Sequence, residues 1–132
     1  MKINASLFMI LLVVLSFLSC KKDDTKPALG KEITVNYAET IDIQGEISIR
    51  FDKIQEDSRC PCTDDCLTRG SAIVRVIGII DGSSFDCAML PSSWKVYEGY
   101  EIRLLEVLPE PCDIALPIPE NDYKIKVVVK KL

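Results

Sequence analysis

The sequence predicts an all-β domain, a single antiparallel β-sandwich of seven or eight short strands, with an open β-barrel as the alternative. Three observations lead there. Apolar and polar residues alternate with period two in stretch after stretch, the pattern of strands that bury one face. Glycine turn pairs and prolines punctuate the chain between those stretches. From residue 20 onward no stretch repeats its apolar residues with a helical period.

In chain order, Ile33, Val35 and Tyr37 alternate with Glu32, Thr34 and Asn36, and Ile41 and Ile43 follow. Ile47, Ile49 and Phe51 then alternate with Glu46, Ser48, Arg50 and Asp52, after a bend at Gln44-Gly45. Residues 71–80 form a β-branched run that is apolar on both faces apart from Arg75, as in a central strand. Asp81-Gly82 is a strong hairpin signal, because both residues accept positive φ. Phe85, Cys87 and Met89 share a face on the return strand, which Pro91-Ser92-Ser93 ends.

Trp94 and Val96 make a short strand, and Glu98-Gly99 turns the chain into Tyr100, Ile102 and Leu104, a pattern that runs to Val107. Residues 109–121 hold Pro109, Pro111, Pro117 and Pro119 and predict an irregular loop containing Cys112. In the last strand Tyr123, Ile125, Val127 and Val129 face inward, with Lys124, Lys126 and Lys130 outward. There is no internal repeat. The expected architecture over 32–132 is therefore immunoglobulin-like in its strand number and size.

The amino terminus does not belong to this domain. Lys2 gives a basic start, and residues 7–18 are nearly all apolar, too short a run to span a bilayer but suited to a signal peptide over 1–19. Leu15-Ser16-Phe17-Leu18-Ser19-Cys20 resembles the bacterial lipobox, with Phe17 in place of the usual smaller aliphatic residue. The resemblance implies cleavage before Cys20 and acylation of that cysteine, with palmitate among the chains expected of such an anchor. Cys20-Lys21-Lys22-Asp23-Asp24 resembles the surface-export signal of some Gram-negative lipoproteins, which implies an outer-membrane, surface-exposed location in the cell envelope. Residues 20–31 carry charge, Pro27 and Gly30 without apolar period and read as the lipidated cysteine and its flexible tether.

Removal of 1–19 leaves 113 residues, enough for one core, and takes Lys2 with it, moving the net charge from −4 to −5. An acidic chain whose carboxy-terminal lysines lie on one strand face argues against a nucleic-acid partner. Histidine is absent, which excludes Ser-His-Asp and Cys-His catalysis and His-ligated zinc. No cofactor is implied.

The five cysteines after Cys20 are Cys60, Cys62, Cys66, Cys87 and Cys112. Outside the cytoplasm cysteines pair, and five of them allow fifteen ways to form two bridges and leave one thiol. Three sit in one loop, 56–70. Its run Glu56-Asp57-Ser58-Arg59-Cys60-Pro61, with Cys66 and Gly70 downstream, resembles a family of small secreted and lipid-anchored bacterial domains. Those domains share the acidic-Asp-Ser-Arg-Cys-Pro run, a second cysteine and a strand-opening glycine, matched farther on by Gly99-Tyr100, Pro109-Glu110-Pro111 and Asp122-Tyr123. The resemblance covers roughly 31–132 and implies the fold but no activity. Thr68 and Arg69 depart from it, where an aromatic and a small residue are expected, and Cys62, Cys87 and Cys112 are additional.

On this structural reading Cys60 bridges Cys66, Arg59 folds back onto Asp57 or Glu56, and Cys62 pairs with Cys87 or Cys112. Cys87 is alternatively a buried free thiol beside Phe85 and Met89. The competing readings use the same loop. Cys60, Cys62 and Cys66 could offer thiolates to copper or zinc, with Asp64 or Asp65 nearby, or serve a redox role, though Cys-x-Cys is a weak signal for either. Glu56, Asp57, Asp64 and Asp65 offer oxygens to calcium without the EF-hand spacing. An enzyme would need Asp57 paired with Asp64 or Asp65 in a cleft. Trp94 and Tyr97, with Tyr100 nearby, are the candidate ligand surface for a protein or glycan, although Tyr100 is in phase with a core face and a lone tryptophan is usually core. The favoured class is a non-catalytic binding or structural module on a lipid anchor.

Overall fold

The computed structural model describes residues 26–112 and 117–132. Eight strands run in the order β1 (Glu32–Asn36), β2 (Thr40–Ile43), β3 (Ile47–Asp57), β4 (Ala72–Ile80), β5 (Ser83–Met89), β6 (Trp94–Tyr97), β7 (Tyr100–Leu108) and β8 (Lys124–Lys131). They form two antiparallel four-stranded sheets, β1-β8-β7-β6 and β2-β3-β4-β5, packed face to face and not closed into a barrel. The sandwich and its eight strands are as expected, but the strand order is not that of an immunoglobulin domain. Each sheet is a meander, with β1 added beside β8, whereas immunoglobulin sheets interleave their strands. Among the described residues no helix is long and apolar enough to cross a membrane.

The core forms where the period-two pattern places it. Ile33 and Val35, Ile47, Ile49 and Phe51, Val74 and Val76, Ile102 and Leu104, and Ile125, Val127 and Val129 are all buried between the sheets. β3 runs five residues past Asp52, where the alternation in the sequence fades. Two irregularities in its pairing with β4, after Phe51 and after Ile54, explain why: each extra residue shifts the phase that marks a strand. The tether also ends sooner than its composition suggests. Leu29 packs against the core, and the Gly30 N–H donates to the Val129 carbonyl at 2.7 Å.

Because the strands alternate in direction, the two ends of the sandwich differ. One end carries the three turns Gln44-Gly45, Asp81-Gly82 and Glu98-Gly99, each with positive φ at both residues. Asp81-Gly82 and Glu98-Gly99 are two-residue hairpins, between Ile80 and Ser83 and between Tyr97 and Tyr100. Left-handed backbone at both positions matches the right-handed twist of the flanking strands, which is why glycine follows a polar residue there. Residues 26–31 join at this end, with Lys26 paired to Asp42 at 2.5 Å. The opposite end carries the cysteine loop between β3 and β4, the β5–β6 turn and the proline-rich segment between β7 and β8.

Candidate functional site

The far end is built on the Asp-Ser-Arg-Cys-Pro run. Ser58 and Ser71 close the base of the loop. The Ser58 N–H donates to the Ser71 carbonyl at 2.9 Å, and the Ser58 hydroxyl accepts from the Ser71 N–H at 3.1 Å. One step outward the Cys60 N–H donates to the Arg69 carbonyl at 2.8 Å. Gly70 lies between these bonds with φ +66°, and a Cβ there would overlap the Ser58 carbonyl, so no other residue fits. At the tip, Pro61 accepts from the Asp64 N–H at 3.2 Å, and Leu67 is fully exposed.

Cys60 and Cys66 stand at disulfide distance, their Cα atoms 6.0 Å apart, and pin the loop on itself. Cys62 reaches Cys112, with Cα atoms 4.9 Å apart, and ties the loop to the proline-rich segment. Cys87 pairs with neither. It sits half-buried on β5, facing the same way as Phe85 and Met89, and burial pushes its thiol pKa up. The sulfurs of Cys60, Cys62 and Cys66 are thus divided between two bridges and do not converge as the metal reading requires. Among the described residues no group of three or more His, Cys, Asp or Glu is placed to hold a metal ion.

Arg59 folds onto Asp57, not Glu56. Its Nε and Nη2 each donate to an Asp57 oxygen at 2.8 Å, a bidentate pair. Its Nη1 donates to the Val107 carbonyl at 2.8 Å, and the Tyr123 hydroxyl donates to Asp57 Oδ2 at 2.7 Å. Both charged side chains are mostly buried, with 12% of Arg59 and 15% of Asp57 exposed. Burial alone would raise the Asp57 carboxyl pKa, but hydrogen bonds from Arg59 and Tyr123 and the guanidinium charge outweigh it and hold the pKa below the usual range. Arg59 is held above its usual value, first by its hydrogen bonds to Asp57. Tyr123 is pushed up to about 12 by burial and by its bond to the carboxylate.

Asp57, Arg59 and Tyr123 line a cleft of about 400 Å³ with Pro117 and Ile118. It presents a polar wall without net charge and an apolar wall. The guanidinium has five N–H groups, of which three are spent, so two remain for a ligand acceptor. Asp57 is a poor acid, base or calcium ligand, because both its oxygens are saturated by Arg59 and Tyr123. Glu56 pairs in register with Ile73 and Asp57 with Ala72, so the two carboxylates point to opposite faces. The acid-pair and calcium readings therefore lose their central residue.

The aromatic pair divides as well. Trp94 is 57% exposed beside Val96, with Arg103 Cζ 5.5 Å from the ring centroid. Tyr97, three residues along the same strand, lies on the opposite face, stacked on Phe85 with centroids 3.9 Å apart. It fills the open side between the sheets and is no part of a surface shared with Trp94, while Tyr100 is buried. Trp94 departs from the core habit of a lone tryptophan because β6 is an edge strand four residues long. Tyr123 reads in the sequence as core alone. Only its place in the Asp122-Tyr123 match hinted at its second role on Asp57. The anchor expected at Cys20 lies outside the described residues. No family model, no curated protein and no solved structure matches this chain.

Proposed function

We propose that the protein is a lipid-anchored, non-catalytic binding module of the cell envelope, held to the outer membrane by acylated Cys20. Its ligand, a protein or a glycan, is met at the end of the sandwich away from the anchor. One observation carries this reading. Strand direction puts the tether and the tight turns at one end, and the bridged loops and the cleft at the other, with the exposed Trp94 between them, in register with Arg103. Loops held rigidly on a sheet scaffold are a common place for recognition. The resemblance of the Asp57-to-Gly70 run to secreted and lipid-anchored domains agrees with the setting.

Two experiments test it in the full-length chain. Cys20→Ser is expected to move the protein from the membrane fraction to the soluble one, and unchanged membrane association would remove the anchor. A photo-crosslinking residue at Leu67 is expected to trap a ligand in the intact envelope, and the same residue at Asp81 to trap none. Trapping at Asp81 alone would reverse the assigned polarity.

A further inference from the structure

The two sheets expose very different central strands. Outward positions on β8 carry Lys124, Lys126, Val128 and Lys130, the polar face expected of a solvated antiparallel sheet. Outward positions on β4 carry Ile73, Arg75, Ile77 and Ile79, and each of the three isoleucines is left half-buried with no layer over it among the described residues. A strand with apolar residues on both faces belongs inside a structure, and here only one face is inside.

The neighbours of this stripe are arranged with a sense. In register across the sheet, Arg50 lies on the β3 side of Ile77 and Asp86 on its β5 side. The row above reads Ser48, Ile79, Ser84. Consider a two-fold axis in the plane of the face and along β4. It carries the β3 side of one copy over the β5 side of the other, so Arg50 of each copy meets Asp86 of the other while Ile77 packs on Ile77. Both charges are accessible, with side chains 39% and 57% exposed. Arg75, which would approach its own copy, is already paired to Asp86 at 2.6 Å and lies 3.7 Å from Asp52. The lysine stripe on β8 would instead meet like charge.

We infer that the outer face of the β2-β3-β4-β5 sheet binds a second copy of this chain, isologously, with Ile77 near the axis and Arg50 and Asp86 exchanging partners. Four strands at ~4.8 Å spacing give a patch at the small end of specific interfaces, so the dimer is weak.

The test is oxidative crosslinking of the full-length chain in cells, in a Cys87→Ser background. Ile77→Cys is expected to give a disulfide dimer well above Thr34→Cys, an exposed control on the opposite sheet. Arg50→Glu and Asp86→Lys, each added to Ile77→Cys, are expected to lower the dimer yield by about tenfold through like-charge contact, and the two together to restore it. Crosslinking at Ile77 no greater than at Thr34 would overturn the inference. So would failure of the double reversal to recover the yield when each variant melts as the parent does.

Discussion

At one end of the sandwich the chain reverses through Gln44-Gly45, Asp81-Gly82 and Glu98-Gly99. At the other it crosses by the 58–71 loop and the proline-rich segment after Leu108. The short turns are extensions of the strand ladders, and the flanking pairs Ile80–Ser83 and Tyr97–Tyr100 hold them. The long segments have few ladder bonds and must be held otherwise. They are held by two cysteine bridges and by the Asp57–Arg59–Tyr123 cluster, which joins β3, the loop, the Val107 carbonyl at the end of β7 and the start of β8. A backbone freed from pairing thus acquires covalent and ionic fastening, and the same fastening shapes the cleft.

If this contrast is right, damage at the far end should be large and local, and damage at the turn end small. The largest effect is expected from Cys62→Ser with Cys112→Ser. That bridge spans 50 residues, and its loss costs about 4 kcal/mol in the chain-entropy model, readable by urea unfolding. Asp57→Ala comes next, at about 3 kcal/mol, because it leaves the mostly buried Arg59 guanidinium without its carboxylate. Amide exchange should then quicken in 58–71 and 117–123 while β4 and β8 stay protected; uniform quickening would erase the distinction between the ends. Cys60→Ser with Cys66→Ser spans only 6 residues and should cost about 2 kcal/mol.

The cluster also sets a pH signature. Tyr123 titrates at about 12 when folded against an ordinary 10.0, so its contribution is complete below pH 10 and is lost as pH rises toward 12. Alkaline melting curves should show a smaller loss in Tyr123→Phe than in the parent, the remainder coming from Tyr37 and Tyr100, which hydrogen bonds to Glu120 and Glu46 also hold above their usual range. Asp57 shows the opposite sign. Its folded pKa is lowered, so its contribution is present at neutral pH and fades as acid protonates the carboxylate. The smallest effect belongs to the turn end. Gly99→Ala meets open space, so only the backbone at φ +79° opposes it, at about 1 kcal/mol.

Much of this architecture is visible along the chain. The alternation of Ile47, Ile49 and Phe51 or of Ile125, Val127 and Val129 marks strand and buried face together, because a pleated strand sends successive side chains to opposite sides. Glycine after a polar residue marks the tight hairpins for an equally local reason, the φ values of two adjacent residues. By itself, then, the sequence determined the strands, their inward faces and the tight turns.

Tertiary structure decided what depends on distance between residues far apart in the chain. The choice of Cys112 over Cys87 for Cys62, the exposure of Trp94 but not Tyr97, the meander order of the sheets and the grip of Tyr123 on Asp57 all follow from which strands lie side by side. The bulges in β3 show the boundary between the two. They erase the local period in the sequence, and only the ladder to β4 carries the strand through to the site.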